Sequence, residues 1–152
     1  MNKNVVIRIE AIQRYPGQKP EKTVTEAGGE YFLRGGSRYV IFEESQEGFT
    51  EKVKSMLKIK NNSVELTKKG LIHSHMFFEE EVTFASEYKT PFGGFMLDMH
   101  TKKLEVRETP AEIVIEIEYS LETQEQAVAD CNIRIIIKEK RSEEHTSELQ
   151  SR

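Results

Sequence analysis

Two histidines stand one residue apart, His73 and His75, in the stretch Leu71-Ile72-His73-Ser74-His75-Met76-Phe77-Phe78, with Glu79, Glu80 and Glu81 directly after it. On a strand, residues two apart point to one side, so both imidazoles share a face with Leu71 and Phe77. Such a pair suits one Zn²⁺, which takes histidine nitrogen at ~2.0–2.1 Å. A third ligand has to come from His100, Cys131, or a carboxylate such as Glu79 or Glu81, which share the histidine face if the strand runs on unbroken. A structural zinc site normally closes with a cysteine–histidine set, which one cysteine does not supply. The other side of the strand, Ile72, Met76 and Phe78, reads as core. The histidines then lie on the outer face or near a rim, as plain strand surface, a ligand contact or a pH-sensitive pair.

The other chemistry-bearing residues are sparse. His100 stands two residues from Asp98, a spacing that could orient a general base, but no nucleophile accompanies it. Cys131 precedes an apolar strand and reads as a small core or boundary residue; a reactive thiolate needs a nearby cation or helix N-terminus. The pairs Gly28-Gly29, Gly35-Gly36 and Gly93-Gly94 match neither phosphate-loop nor dinucleotide motifs, and are read as hairpin glycines. Lys52, Lys54, Lys58 and Lys60 form a comb on one strand face, either a contact for a polyanion such as RNA or a solvated face that discourages edge pairing. Glu43, Glu44 and Glu47, with Glu79 to Glu81, would balance it.

The elements that must carry these residues announce themselves by alternation. Val5, Ile7 and Ile9 share a face. So do Val53, Leu57 and Ile59 against the lysine comb, Val64 and Leu66, and Phe95, Leu97 and Met99. Ile113, Ile115, Ile117, Tyr119 and Leu121 form the clearest run, and Ile133, Ile135 and Ile137 the last. Period two marks strands with one buried and one wet face. The only helical candidate is Glu122 to Ala129, which reads equally as a hairpin loop. Turns are expected at Gly35-Gly36, which supplies positive φ; at Asn61-Asn62, where asparagine tolerates the left-handed region; at Lys69-Gly70; and at Pro91-Phe92-Gly93-Gly94. Eight to ten strands joined by short loops make an antiparallel meander, which has to close on itself to bury its apolar face. The expected fold is all-β, a small closed antiparallel barrel of about eight to ten strands.

The order of Gly70, the Met76-Phe77-Phe78 cluster, Tyr88-Lys89-Thr90-Pro91-Phe92-Gly93 and the strand Ile117-Glu118-Tyr119-Ser120-Leu121 resembles the YwiB-like β-barrel family. That resemblance covers nearly all of residues 3 to 140. It implies a single up-and-down, lipocalin-like (calycin-type) barrel of about eight strands, in a bacterial domain of unknown function found largely in Firmicutes. It brings no catalytic or ligand residue with it.

Composition narrows the function classes. A chain of 152 residues with net charge -4 fits one domain and argues against non-specific nucleic-acid binding, which wants a basic face. No apolar run approaches the length of a membrane-spanning helix, no signal peptide is visible, and the lone cysteine suits a reducing, cytoplasmic setting. Residues 141 to 151, Arg-Ser-Glu-Glu-His-Thr-Ser-Glu-Leu-Gln-Ser, match the in-frame translation of a common sequencing-library adapter. Residues 141 to 152 are therefore read as a non-native, disordered tail, His145 with them, and residues 1 to 140 as the barrel domain.

Ten aromatic residues, Phe32, Tyr39, Phe42, Phe77, Phe78, Phe84, Tyr88, Phe92, Phe95 and Tyr119, spread over most strands and favour a filled interior. An eight-stranded barrel is either just filled or holds one small ligand. Phe77, Tyr88, Phe92 and Phe95 are the candidate residues of a mouth. The sequence thus reads as a non-enzymatic barrel with no cofactor, binding a small apolar or amphipathic molecule or a partner protein. Its rivals are an RNA- or polyanion-contacting module on the lysine comb and a metal-dependent enzyme at His73 and His75.

Overall fold

The computed structural model describes residues 1, 3–45, 50–123 and 126–140, with the expected tail outside them. Ten strands follow in order: β1 (Asn4–Arg14), β2 (Glu21–Arg34), β3 (Ser37–Ser45), β4 (Lys52–Ile59), β5 (Val64–Lys69), β6 (His73–Phe78), β7 (Thr83–Thr90), β8 (Gly93–Thr109), β9 (Glu112–Thr123) and β10 (Gln126–Glu139). Each pairs antiparallel with its sequence neighbour, and β1 pairs with β10, so the meander closes into a barrel. The all-β, up-and-down expectation holds. The helical alternative for Glu122 to Ala129 does not. Its described residues extend β9 and β10, which pair from Gln126↔Thr123 onward. The preceding run Ile113 to Leu121 sets a strand period that no 3.6 pattern opposes.

The turns obey local rules with two exceptions. Arg34 pairs with Ser37, leaving a two-residue loop in which Gly35 (φ 58°) and Gly36 (φ 81°) take the left-handed conformation that a tight hairpin needs. At Pro91-Phe92, the Thr90 hydroxyl accepts from Phe92 N–H at 3.1 Å and donates to the Gly93 carbonyl at 3.0 Å. Asn61 and Asn62 turn the chain as expected, but without positive φ; the Lys60 N–H donates to the Ser63 carbonyl at 2.9 Å instead. Gly28-Gly29 is not a turn at all. Both glycines lie inside β2, opposite Val6 and Val5. A Cβ on Gly29 would meet the Ile41 carbonyl at 2.9 Å, whereas one on Gly28 would meet nothing within 4 Å. Gly29 is glycine because another backbone passes close.

The alternating apolar residues fill the barrel toward one end. Val5, Ile7, Val40, Leu57, Ile59, Val64, Phe78, Ile113, Ile115, Ile135 and Ile137 are all nearly inaccessible, and each such side chain contributes about 1.5–3 kcal/mol by burial. Arg38 seals that end from within. Its guanidinium, 8 % exposed, pairs with Glu108 across the barrel and donates to the Asn61 side chain at 3.3 Å. Aliphatic residues rather than aromatic ones do most of the filling. Of the ten aromatics singled out above, Phe42, Phe78 and Tyr119 are buried, while Phe32 and Tyr39, partly exposed, stack on each other beneath Arg34 and Lys58.

Two substitutions test this packing. Gly29→Ala should destabilise by about 1–3 kcal/mol through the clash, while Gly28→Ala should be neutral or stabilising by about 0.4–1 kcal/mol through chain entropy. Urea denaturation of the two variants reads the difference, and equal midpoints would contradict the close approach.

Candidate functional site

Among the described residues, the longest interruption of the barrel wall lies between β2 and β3. The β2–β3 ladder runs from Arg34↔Ser37 to Gly29↔Phe42 and stops there. Beyond that point β2 continues back to Glu21 paired with β1, and β3 continues to Ser45 paired with β4. The two strands part at the glycine pair, where backbone packs closely and no side chain holds the ladder together. Between them opens a cleft of about 1440 Å³, lined by Val24 to Glu30 of β2, Ile41 to Ser45 of β3, and Lys52, Lys54 and Lys68. Its charged residues balance: Glu26, Glu30, Glu43 and Glu44 against Lys52, Lys54, Lys68 and Lys140.

A charged pair lies on the inner side of this cleft. Successive ladders place Phe42, Ser55, Lys68, Ser74, Tyr88 and Phe95 opposite one another in one row across β3 to β8. Ser55 and Ser74 are buried, so the row faces the interior. Glu44, its side chain 6 % exposed, meets the Lys68 ammonium at 3.1 Å and accepts from the Ser55 hydroxyl at 3.4 Å. A carboxylate so deep is tolerated only when paired, because its desolvation costs several kcal/mol. The Ser74 hydroxyl, buried beside Lys68 in the row, has no hydrogen-bond partner among the described residues. Ser86, also buried, donates to the His75 carbonyl at 2.8 Å. That bond satisfies a backbone group where the β6–β7 ladder holds only His73↔Lys89 and Ser74↔Tyr88. One end of the interior is thus sealed and apolar, the other polar and open at the side.

Of the residues singled out from sequence, Lys52, Lys54, Glu43 and Glu44 line the cleft and Tyr88 and Phe95 share the interior row, while the histidines lie elsewhere. His73 and His75 do face outward, with Phe77 partly buried on the same face. His75 Nε2 lies 2.5 Å from Glu65 Oε2 and edge-on to Phe84. Glu79 to Glu81 do not extend that face. The Val82 N–H donates to the Glu79 carbonyl, and Glu81 takes φ 66°, so the acidic residues turn away. Glu80 instead accepts from the Leu104 N–H at 3.1 Å, and Glu81 lies 3.7 Å from His100. His100 Nδ1 is hydrogen-bonded to the Thr83 hydroxyl at 2.8 Å. Among the described residues, no three or more His, Cys, Asp or Glu stand where they could hold a metal ion.

The lysine comb is interleaved with other chemistry. Lys54 faces Glu43 across one ladder and Lys69 across the other, while Lys58 lies between Tyr39 and Glu65. Lys52 and Lys54 line the cleft, and Lys60 is exposed at the β4–β5 turn. Of the mouth candidates, Tyr88 stacks on Phe95 at 5.8 Å on the interior row, Phe92 is 89 % exposed on its turn, and Phe77 belongs to the outer surface beside Phe84. Sequence reasoning missed Lys68, Ser55 and Ser74, and took Glu44 only as charge balancing the lysine comb. Their one signal is polar residues in phase with apolar ones: Ser55 between Val53 and Leu57, Lys68 after Val64 and Leu66, Ser74 before Met76 and Phe78.

Cys131 is a buried free thiol. Burial pushes its pKa up, partly offset by a hydrogen bond from the Tyr119 hydroxyl, and burial raises Tyr119 as well, with Cys131 adding to it. Both acids are therefore harder to ionise in the native state than in the unfolded chain, where they titrate from 9.0 and 10.0. Their contribution to stability is complete below the lower of those values and is lost as pH rises past it, because the unfolded chain gives up its protons first. The urea midpoint should fall between about pH 8 and pH 10.5. Native Cys131 should be alkylated at least about 100-fold more slowly than the unfolded chain at pH 8; equal rates would contradict its burial.

Comparison with known proteins places this geometry in a lineage. The crystal structure of ywiB protein from Bacillus subtilis superposes with a TM-score of 0.80 at 18% sequence identity, covering 91% of this chain and 93% of that one, and so shares the fold. No curated protein matches. The family model described as "Domain of unknown function (DUF1934)" matches residues 7–135, and on that span the chain belongs to the DUF1934 family, a YwiB-like barrel domain.

Proposed function

We propose that this barrel is a non-enzymatic binding protein for a small amphipathic molecule. The ligand lodges in the cleft between β2 and β3, its polar end on the Lys68–Glu44 pair and its apolar body against Val5, Ala27 and Phe42. The observation that carries this reading is a buried ion pair placed at the inner side of the opening between β2 and β3. A packed apolar pair would serve stability as well or better, since replacing buried ion pairs by hydrophobic residues is often neutral or stabilising. The unpartnered Ser74 hydroxyl beside Lys68 adds an unused hydrogen-bonding group to the same floor. The balanced charge of the lining favours a ligand that is neutral or zwitterionic overall. Glu44 and Lys68 neutralise one another, which suits recognition better than acid–base work.

The polyanion reading is less well supported, because Glu43 and Glu65 interrupt the lysine comb on its flanking strands. A reduced, buried Cys131 fits a cytoplasmic, lipocalin-like carrier.

Native mass spectrometry of the full chain, purified gently from the cells that express it, tests the proposal. Wild type should carry an additional small-molecule mass, and the charge-neutral double variant Glu44→Leu/Lys68→Met should lose it while remaining folded. A ligand-free wild type, or a double variant that keeps the mass, would overturn the assignment. Saturation with the recovered molecule at 100 times its Kd should stabilise wild type by about 2.7 kcal/mol.

A further inference from the structure

The interruption that opens the cleft also leaves the edge of β2 without a neighbour. From Glu21 to Gly28, β2 pairs with β1 on one side, and among the described residues no strand pairs with it on the other. An edge of that length presents a row of unpaired N–H and C=O groups, which only another extended strand can satisfy in full. Its outward side chains are Lys22, Val24 and Glu26, the faces of which follow from their partners Ile12, Glu10 and Arg8. Val24 is 46 % exposed, Lys22 is exposed and near enough to Glu10 to act on its carboxylate, and Glu26 is bridged by Arg8 from the β1 side.

We infer that a second copy of this chain docks on that edge, the two β2 strands running antiparallel about a two-fold axis at Val24. In that register Val24 meets its own symmetry mate. Lys22 of each copy stands opposite Glu26 of the other, and Thr23 stands opposite Thr25 on the inner side. An isologous contact requires such self-complementarity, in which every residue's partner is also its mirror in the sequence. Few edges have it. A shift of one residue would set Lys22 against Ala27 and Val24 against Thr25, losing both ion pairs. Edge lysines ordinarily repel a second strand; here Lys22 finds a carboxylate that already holds one cation, Arg8, and has room for another across the seam. The added strand continues the barrel wall, so it covers the cleft without occupying its floor.

Analytical ultracentrifugation of the full chain, over a series of protein concentrations, reads the association directly. Wild type should dimerise reversibly. Lys22→Glu places two carboxylates opposite each other at both ends of the seam and should weaken the dimer by at least about tenfold. Glu26→Lys should do the same with two ammonium groups, its fold checked by thermal melting because it also faces Arg8. An equimolar mixture of the two variants restores both opposite-charge pairs and should dimerise where neither variant does alone. Wild type that stays monomeric at every concentration would overturn the inference and leave the edge to an extended peptide of another protein. So would a dimer indifferent to Lys22→Glu, or a mixture that fails to associate.

Discussion

Closure of the β1–β10 ladder is the constraint on which the rest of this molecule depends. Ten strands, each with one apolar face, have no layer to pack against except one another. The register from Val5↔Glu139 to Arg14↔Asp130 joins the first strand to the last and turns an open meander with two edges into a wall around a core. With that ladder in place, Val5 and Ile7 meet Ile135 and Ile137 inside. Without it, the alternating isoleucines of β9 and β10 would face water.

Closing ten strands creates a second problem, which is volume. Eight strands already give an interior that side chains just fill, and two more widen it. The chain meets the excess unevenly. One end is packed with isoleucine, valine, Phe42 and Phe78, and is sealed by Arg38 and Glu108. The other carries Glu44, Lys68 and three buried serines, and the wall there parts between β2 and β3. Polarity and opening coincide because a buried charge needs either water or a partner, and the parted wall admits both. The bulge at Thr101/Lys103 in β8 belongs to the same accommodation. It bends a seventeen-residue strand around the barrel, and Glu80 takes up a backbone N–H just beyond it.

Much of the fold was legible in the sequence because burial in a barrel has a simple period. Ile113 to Leu121 and Ile133 to Ile137 show it without interruption, and Gly35-Gly36 gives its turn away through backbone freedom. The first half of β2 was illegible for the complementary reason. Glu21 to Glu26 covers no packed core, so Val24 carries no apolar alternation to read. Gly28-Gly29 looked like a turn because a glycine needed for close approach and a glycine needed for positive φ are the same letter. The site was hidden by a similar ambiguity. Glu44 and Lys68 are charged residues on strands, and charge on a strand ordinarily marks the wet face; only their phase relative to Phe42 and Leu66 separates inside from outside. His73 and His75 drew notice by rarity and spacing, and their outward direction was readable from Met76 and Phe78, but the turn at Glu79 to Glu81 depends on a positive φ at a glutamate that no composition rule foretells.

The order of the strands also fixes how the chain spends its time while folding. Nine of the ten ladders join sequence neighbours, so each can form as a local hairpin within microseconds. The tenth joins residues more than a hundred positions apart, and its loop entropy has to be met before any of its contacts is won. Folding is therefore expected to have a single late, slow event, the meeting of β1 with β10. Truncations at Ile7 or Ile137 should then slow folding, because those side chains meet in the rate-limiting step. The barrel's one non-local seam is in this sense its clock as well as its clasp.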